Sequence, residues 1–139
     1  MATSTSFRIS DAAKARLATY AAREQVSATS VLERLIIESL DALEFPGIVH
    51  RGPDGDRRAA LAAGPDVWEI VARLRDLEGA EEQRIADLTA ETDVHPRLIR
   101  LALDFAAAHP DAITLRIRRN DALATESERR ARVREALLA

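Results

Sequence analysis

Ser4, Ser6 and Arg8 occupy alternate positions of Thr3-Ser4-Thr5-Ser6-Phe7-Arg8-Ile9, and alternate side chains of an extended chain share a face. That face offers two hydroxyls and a guanidinium to a polar partner, while Thr5, Phe7 and Ile9 form a face suited to burial. A second set of donors lies at Ser27, Ala28 and Thr29, at the expected start of a helix. Free backbone N–H groups and the positive end of the helix dipole suit an anion there. A third lies in residues 112–139, where seven arginines include Arg116, Arg118, Arg119, Arg130 and Arg134. Such guanidiniums either pair with carboxylates of another molecule or lace a solvated helix together through Glu126, Glu128 and Glu135. Trp68, the single tryptophan, is expected to anchor a core or an interface.

No pattern points to catalysis. His50, His95 and His109 are far apart, and two of them precede prolines, where caps and turns account for them. The chain lacks metal-ligand spacing, a phosphate-cradling glycine loop and a nucleophile elbow. Asp54 and Asp56 weakly mimic a metal loop whose other ligands are missing. With no cysteine, thiolate metal sites and disulfides are excluded. The expectation is a non-enzyme with no metal or cofactor.

The elements that position these groups are mainly helical. After the extended segment, helices are expected from about 11 to 25, capped by Ser10, and from about 28 to 43. Ala13, Leu17, Tyr20 and Ala21 stripe the first; Leu32, Leu35, Ile36, Leu40 and Leu43 make a wider stripe on the second. A lone strand with two helices has unpaired edges and no second layer, so the block calls for a symmetric partner. Phe45-Pro46-Gly47 breaks the second helix. A small hairpin follows, with strands at 48–51 and 57–61 around Gly52-Pro53-Asp54-Gly55-Asp56. Asp66 then caps a helix over about 67–77. From Glu81 onward a helix, the turn 92–96 and an apolar helix outline a helix-turn-helix, in which Arg97 and Arg100 are candidate contacts and a plain helical hairpin is the favoured alternative. His109-Pro110-Asp111 ends that segment, and the sparse apolar positions of 112–139 predict fraying beyond Thr125.

Ser6-Phe7-Arg8-Ile9-Ser10, the turn Gln25-Val26-Ser27 and the second helix beginning Val31-Leu32-Glu33-Arg34 together resemble the ribbon-helix-helix DNA-binding family of CopG, Arc and MetJ. The resemblance covers residues 1–44 and implies a homodimer whose intermolecular two-stranded ribbon lies in the major groove. By position, Ser4, Ser6 and Arg8 would read bases and the amides of Ser27, Ala28 and Thr29 would hold phosphate. The family's interhelical turn usually carries Gly or Asn where this chain has Gln25. A left-handed residue costs more as Gln than as Gly, so a differently built turn is expected.

Residues 45–139 also resemble a known region. Phe45-Pro46-Gly47-Ile48-Val49, Arg57-Arg58-Ala59-Ala60-Leu61 and Gly64-Pro65-Asp66-Val67-Trp68-Glu69 are similar to a segment found behind ribbon-helix-helix blocks in actinobacterial antitoxins, and the later helices are similar to the DUF433 antitoxin domain. The implied protein is the antitoxin of a type II toxin-antitoxin pair. Its partners would be operator DNA and a PIN-like ribonuclease toxin, the latter held through Trp68, Arg116, Arg118, Arg119, Arg130 and Arg134. The alternative is a free-standing repressor or plasmid DNA organiser with a C-terminal oligomerisation domain.

Charge by region refines this. Residues 1–44 hold five basic and six acidic groups, 45–110 eight and twelve, and 111–139 seven and five. The first block therefore lacks a bulk basic field, and affinity for DNA must come from Arg8 doubled by symmetry, amide contacts, Lys14 and Arg23. No 18-residue apolar run or leader is apparent, so the membrane is not an expected partner and the cytoplasm is the default.

Overall fold

The computed structural model describes residues 3–139. The chain divides into two compact units, one ending at Leu43 and the other running Glu44–Ala139. Among the described residues there are six helices and one two-stranded antiparallel sheet. No helix among them is long and apolar enough to cross a membrane.

In the first unit, residues 3–10 form no regular element within the single chain and are exposed throughout. Ser10 starts α1 (Asp11–Glu24), its Oγ accepting from the Ala13 amide at 3.1 Å. Asp11 in the first turn and Arg23 in the last complement the helix dipole. The helix ends on Gln25 at φ 56°, ψ 41°, so the expectation of a differently built turn is overturned. Gln25 takes the left-handed conformation itself, its N–H bonding to the Ala22 carbonyl and that of Val26 to the Ala21 carbonyl. This is a Schellman closure. Two backbone hydrogen bonds, worth about 1 kcal/mol each, offset the roughly 1–2 kcal/mol that the left-handed region costs a residue with a Cβ. Gln25→Gly is accordingly expected to raise stability by about 0.5–1 kcal/mol, read as a higher urea midpoint with an unchanged slope. An unaltered or lower midpoint would show that Gln25 is not strained.

Helix α2 (Ala28–Glu44) begins on Ser27, whose Oγ accepts from the Ser30 amide at 3.0 Å while its carbonyl accepts from Val31. Tyr20 and Arg34 tie the two helices together by a 3.0 Å hydrogen bond from the guanidinium to the phenol. Ala21 and Val31 are the apolar side chains buried in this unit among the described residues.

The second unit has a continuous core. Strands β1 (Ile48–Arg51) and β2 (Arg58–Leu61) pair antiparallel, with Ile48 opposite Leu61 and Arg51 opposite Arg58. Gly52, at φ +102°, starts the connecting turn, and a Cβ there would lie 2.3 Å from the Asp56 carbonyl oxygen; only glycine fits. Helix α3 (Val67–Asp76) follows Asp66, whose backbone N–H donates to Glu69 Oε2 at 3.1 Å. Helices α4 (Glu81–Thr92), α5 (Pro96–Ala108) and α6 (Pro110–Leu138) complete the unit. Ile48, Leu61, Ile70, Ile85, Ile99 and Phe105 are central to the core, and Ile113 and Ile117 join it from α6.

As expected, His109-Pro110-Asp111 ends the segment before it: α5 stops at Ala108, and α6 begins at Pro110. One expectation changes here. The predicted fraying beyond Thr125 is absent: α6 is one helix of 29 residues. Its local sequence is the reason. Residues 111–139 contain neither Gly nor Pro and many Ala and Arg, and Glu126 pairs with Arg129 at 2.8 Å and with Arg130 at 2.9 Å, spacings of three and four.

Candidate nucleic-acid and partner interfaces

Ser4, Ser6 and Arg8 are all exposed and make no hydrogen bond or ion pair among the described residues. In α2, Ser27 has its hydroxyl committed to Ser30, accepting from the amide and donating to Oγ. The side chain is therefore a cap. What remains for an anion is the backbone: the amides of Ser27, Ala28 and Thr29 lie at the helix start with no helical acceptor, on exposed residues. Arg23 lies 5.1 Å from the centre of the Tyr20 ring and 3.6 Å from Glu24, so part of its charge is already matched.

The helix stripe on α2 is uncovered within one chain. Leu35 is 46% exposed, Ile36 48%, Ile37 60% and Leu40 49%, and Phe7 on the preceding segment is 80% exposed. Beside that stripe lies a groove of about 410 Å³ between α1 and α2, lined by Ile9, Leu17, Val31 and Leu32 among others.

In the second unit the structure brings together residues that are distant in sequence. The hairpin turn presents Asp56 to α6, where Arg116 donates to Asp56 Oδ1 at 2.6 Å and Arg119 approaches the same oxygen at 3.6 Å. Arg58 reaches Asp56 Oδ2 at 3.3 Å and Asp66 Oδ2 at 2.7 Å. Asp66 is buried and serves as a hub, also accepting from Trp68 Nε1 at 3.2 Å and facing Arg51 at 3.7 Å. The hydrogen bond from Arg116, followed by the positive charges of Arg116, Arg119 and Arg58, holds the Asp56 carboxyl below its ordinary range despite some desolvation. The Asp66 partnership likewise raises Arg58. Trp68, Arg58, Arg116 and Arg119 surround a cleft of about 210 Å³ with Asn120 and Leu123 on its α6 side.

The six sequence candidates for partner binding thus separate. Trp68, Arg116 and Arg119 converge on the cleft. Arg130 lies further along α6 and is engaged by Glu126 at 2.9 Å; Arg118 and Arg134 are exposed. Arg116 is 20% exposed in its side chain and locks α6 to the hairpin, a structural task that the sequence does not reveal. Arg58, Asp56 and Asp66 belong to the same site and escape a sequence reading. Their only local signals are a charged residue within a small-residue strand and two aspartates that turn and cap chemistry already explains.

The helix pair α4–α5 is tied down. Arg100 pairs with Glu82 at 2.7 Å, while Arg73 on α3 pairs with Glu91 on α4 at 2.7 Å. His95 is the N-cap of α5, its Nδ1 accepting from the Arg97 amide at 3.1 Å. Among the described residues no group of three or more His, Cys, Asp or Glu gathers as a metal site, and the Asp56 carboxylate is taken by arginine. Comparison with protein-family models, curated proteins and solved structures finds no match to this chain.

Proposed function

We propose that this protein is an antitoxin of the ribbon-helix-helix type. Two copies pair residues 3–9 into an antiparallel ribbon, Ser4, Ser6 and Arg8 read operator bases in the major groove, and the Ala28 and Thr29 amides hold backbone phosphate. Residues 45–139 hold a PIN-like ribonuclease encoded alongside, and the dimer represses its own operon.

The observation that carries the reading is the uncovered apolar face of the first unit. A block with Ala21 and Val31 as its buried apolar side chains cannot offset the entropy of ordering some forty residues, at roughly 1 kcal/mol or more each. A second copy laid on the α2 stripe supplies the missing layer. That copy also gives the backbone of residues 3–9 a strand partner. The distal half of α6 supports the partner-holding role: Leu123 is 64% exposed, Val133 50% and Leu137 79%, on a stretch with no body of its own to cover it.

Co-purification from the native operon tests the proposal. The expected result is a complex of this chain with a small ribonuclease whose activity is suppressed, and a 45–139 fragment is expected to keep suppression while losing operator repression. Purification without any ribonuclease, or suppression by residues 1–44 alone, would overturn it.

A further inference from the structure

The cleft beside Trp68 has a composition that its internal contacts do not exhaust. Three guanidiniums face one Asp56 carboxylate, and Arg58 is shared with Asp66. Arg119 is the loosest of them, 61% exposed in its side chain and 3.6 Å from Asp56. Beside these donors, Trp68 and Leu123 supply an apolar wall. About 210 Å³ is below the roughly 300–1,000 Å³ of sites that enclose whole small molecules. It is room for a side chain or two of another polypeptide.

The cleft also has a continuation. Arg119, Leu123, Arg130 and Leu137 follow one another on α6 at steps of four, seven and seven, so they lie on one helix face. The guanidinium-and-leucine character of the cleft thus runs on along the exposed part of α6, which extends about 27 Å beyond Asn120 at ~1.5 Å per residue. A lone phosphate would use the arginines and leave the apolar wall and this stripe without a role. An acidic polypeptide segment uses all three.

We propose that the Trp68 cleft is the docking point for an acidic side chain on a segment of the partner protein, its carboxylate pairing with Arg116 and Arg119 and its stem packing on Trp68 and Leu123. Asp56 holds that place within the free chain and is displaced by the incoming carboxylate. This rests on the reading of residues 45–139 as a partner-holding region and narrows it to one site.

Trp68, being the single tryptophan, makes the site directly observable. Hexaglutamate added to the full-length protein at low salt is expected to shift Trp68 emission saturably, whereas hexaglutamine does not. Arg119→Gln should weaken binding about two- to fivefold, the size of an exposed ion pair. Asp56→Asn, which keeps the size of the side chain and removes the competing charge, should tighten it by a similar factor; circular dichroism checks that α6 remains helical. Unchanged emission with hexaglutamate in both the parent and Asp56→Asn would overturn the proposal. So would an Arg119→Gln protein that binds as tightly as the parent, or inorganic phosphate producing the same saturating shift. Peptide binding lost while the ribonuclease still co-purifies sinks the cleft assignment alone. Peptide binding retained with no ribonuclease partner sinks the antitoxin reading alone.

Discussion

Ile36→Asp is expected to abolish dimerisation and, with it, the folded state of the first unit. Ile36 is 48% exposed in a single chain and belongs to the uncovered stripe of α2, so within one copy the substitution gives up only the packing of the covered half of the side chain. Most of the expected effect arises where a second copy would sit. Covering the exposed half of an isoleucine is worth about 1 kcal/mol per copy, and burying an unpaired carboxylate costs several kcal/mol more. Symmetry doubles both, so the dimer should lose more than about 4 kcal/mol, roughly a thousandfold in its association constant. Sedimentation analysis at micromolar protein should show monomer, with helical signal lost in proportion to α1 and α2. Ile36→Leu, which conserves volume, should cost less than about 1.5 kcal/mol and remain dimeric. An Ile36→Asp protein that sediments as a dimer would place the interface elsewhere and remove the main support for a ribbon.

Arg8→Ala is expected to eliminate sequence-specific operator binding while leaving the protein dimeric and folded. Arg8 is exposed and makes no bond among the described residues, so its removal has no internal cost. A good side-chain contact to a base edge carries about 1–3 kcal/mol, and two copies per dimer raise that to about 2–6 kcal/mol, at least thirtyfold in affinity. The loss of specific binding should be unusually complete here because residues 1–44 carry five basic against six acidic groups, leaving no bulk basic field to compensate for it. The Ala28 and Thr29 amides remain and should give the variant weak, sequence-independent binding. Gel-shift titrations against the operator and a scrambled duplex at two salt concentrations separate the terms. Operator affinity equal to the parent's would rule out reading by Arg8.

The two substitutions differ in where their effects originate. Ile36→Asp would act through area that a single chain leaves uncovered, Arg8→Ala through donors that a single chain leaves unpaired. Both residues are legible in the sequence, one from helical periodicity and the other from strand alternation.

Local structure followed from local residues. Ser10 starts α1, Ser27 starts α2, Pro96 occupies the first turn of α5, and Gly52 sits where no other residue fits; each depends on hydrogen bonds or steric limits reaching no more than four residues. The hairpin at Ile48–Leu61 and the uncovered stripe on α2 were readable for the same reason. Where local terms compete, pattern alone misjudged the outcome. Gln25 takes a costly left-handed conformation because a pair of backbone bonds compensates, and α6 persists to Leu138 because helix propensity and Glu–Arg spacing offset its sparse apolar content.

The Trp68 cleft lay beyond such reasoning. Asp56 and Arg116 are sixty residues apart, and neither has a local feature that points to the other. Their meeting depends on how Ile113 and Ile117 seat α6 in a core shared with Ile70, Leu74 and Ile48. The same packing makes Asp66, still the N-cap of α3, a partner of Arg58, Arg51 and Trp68 as well. The sequence by itself determined the helices, the hairpin and the apolar faces, since short-range sterics and periodicity act within a few residues. Only the tertiary structure decided which arginines lock the fold and which face the cleft, because an ion pair depends on the distance between charges and that distance is set by core packing.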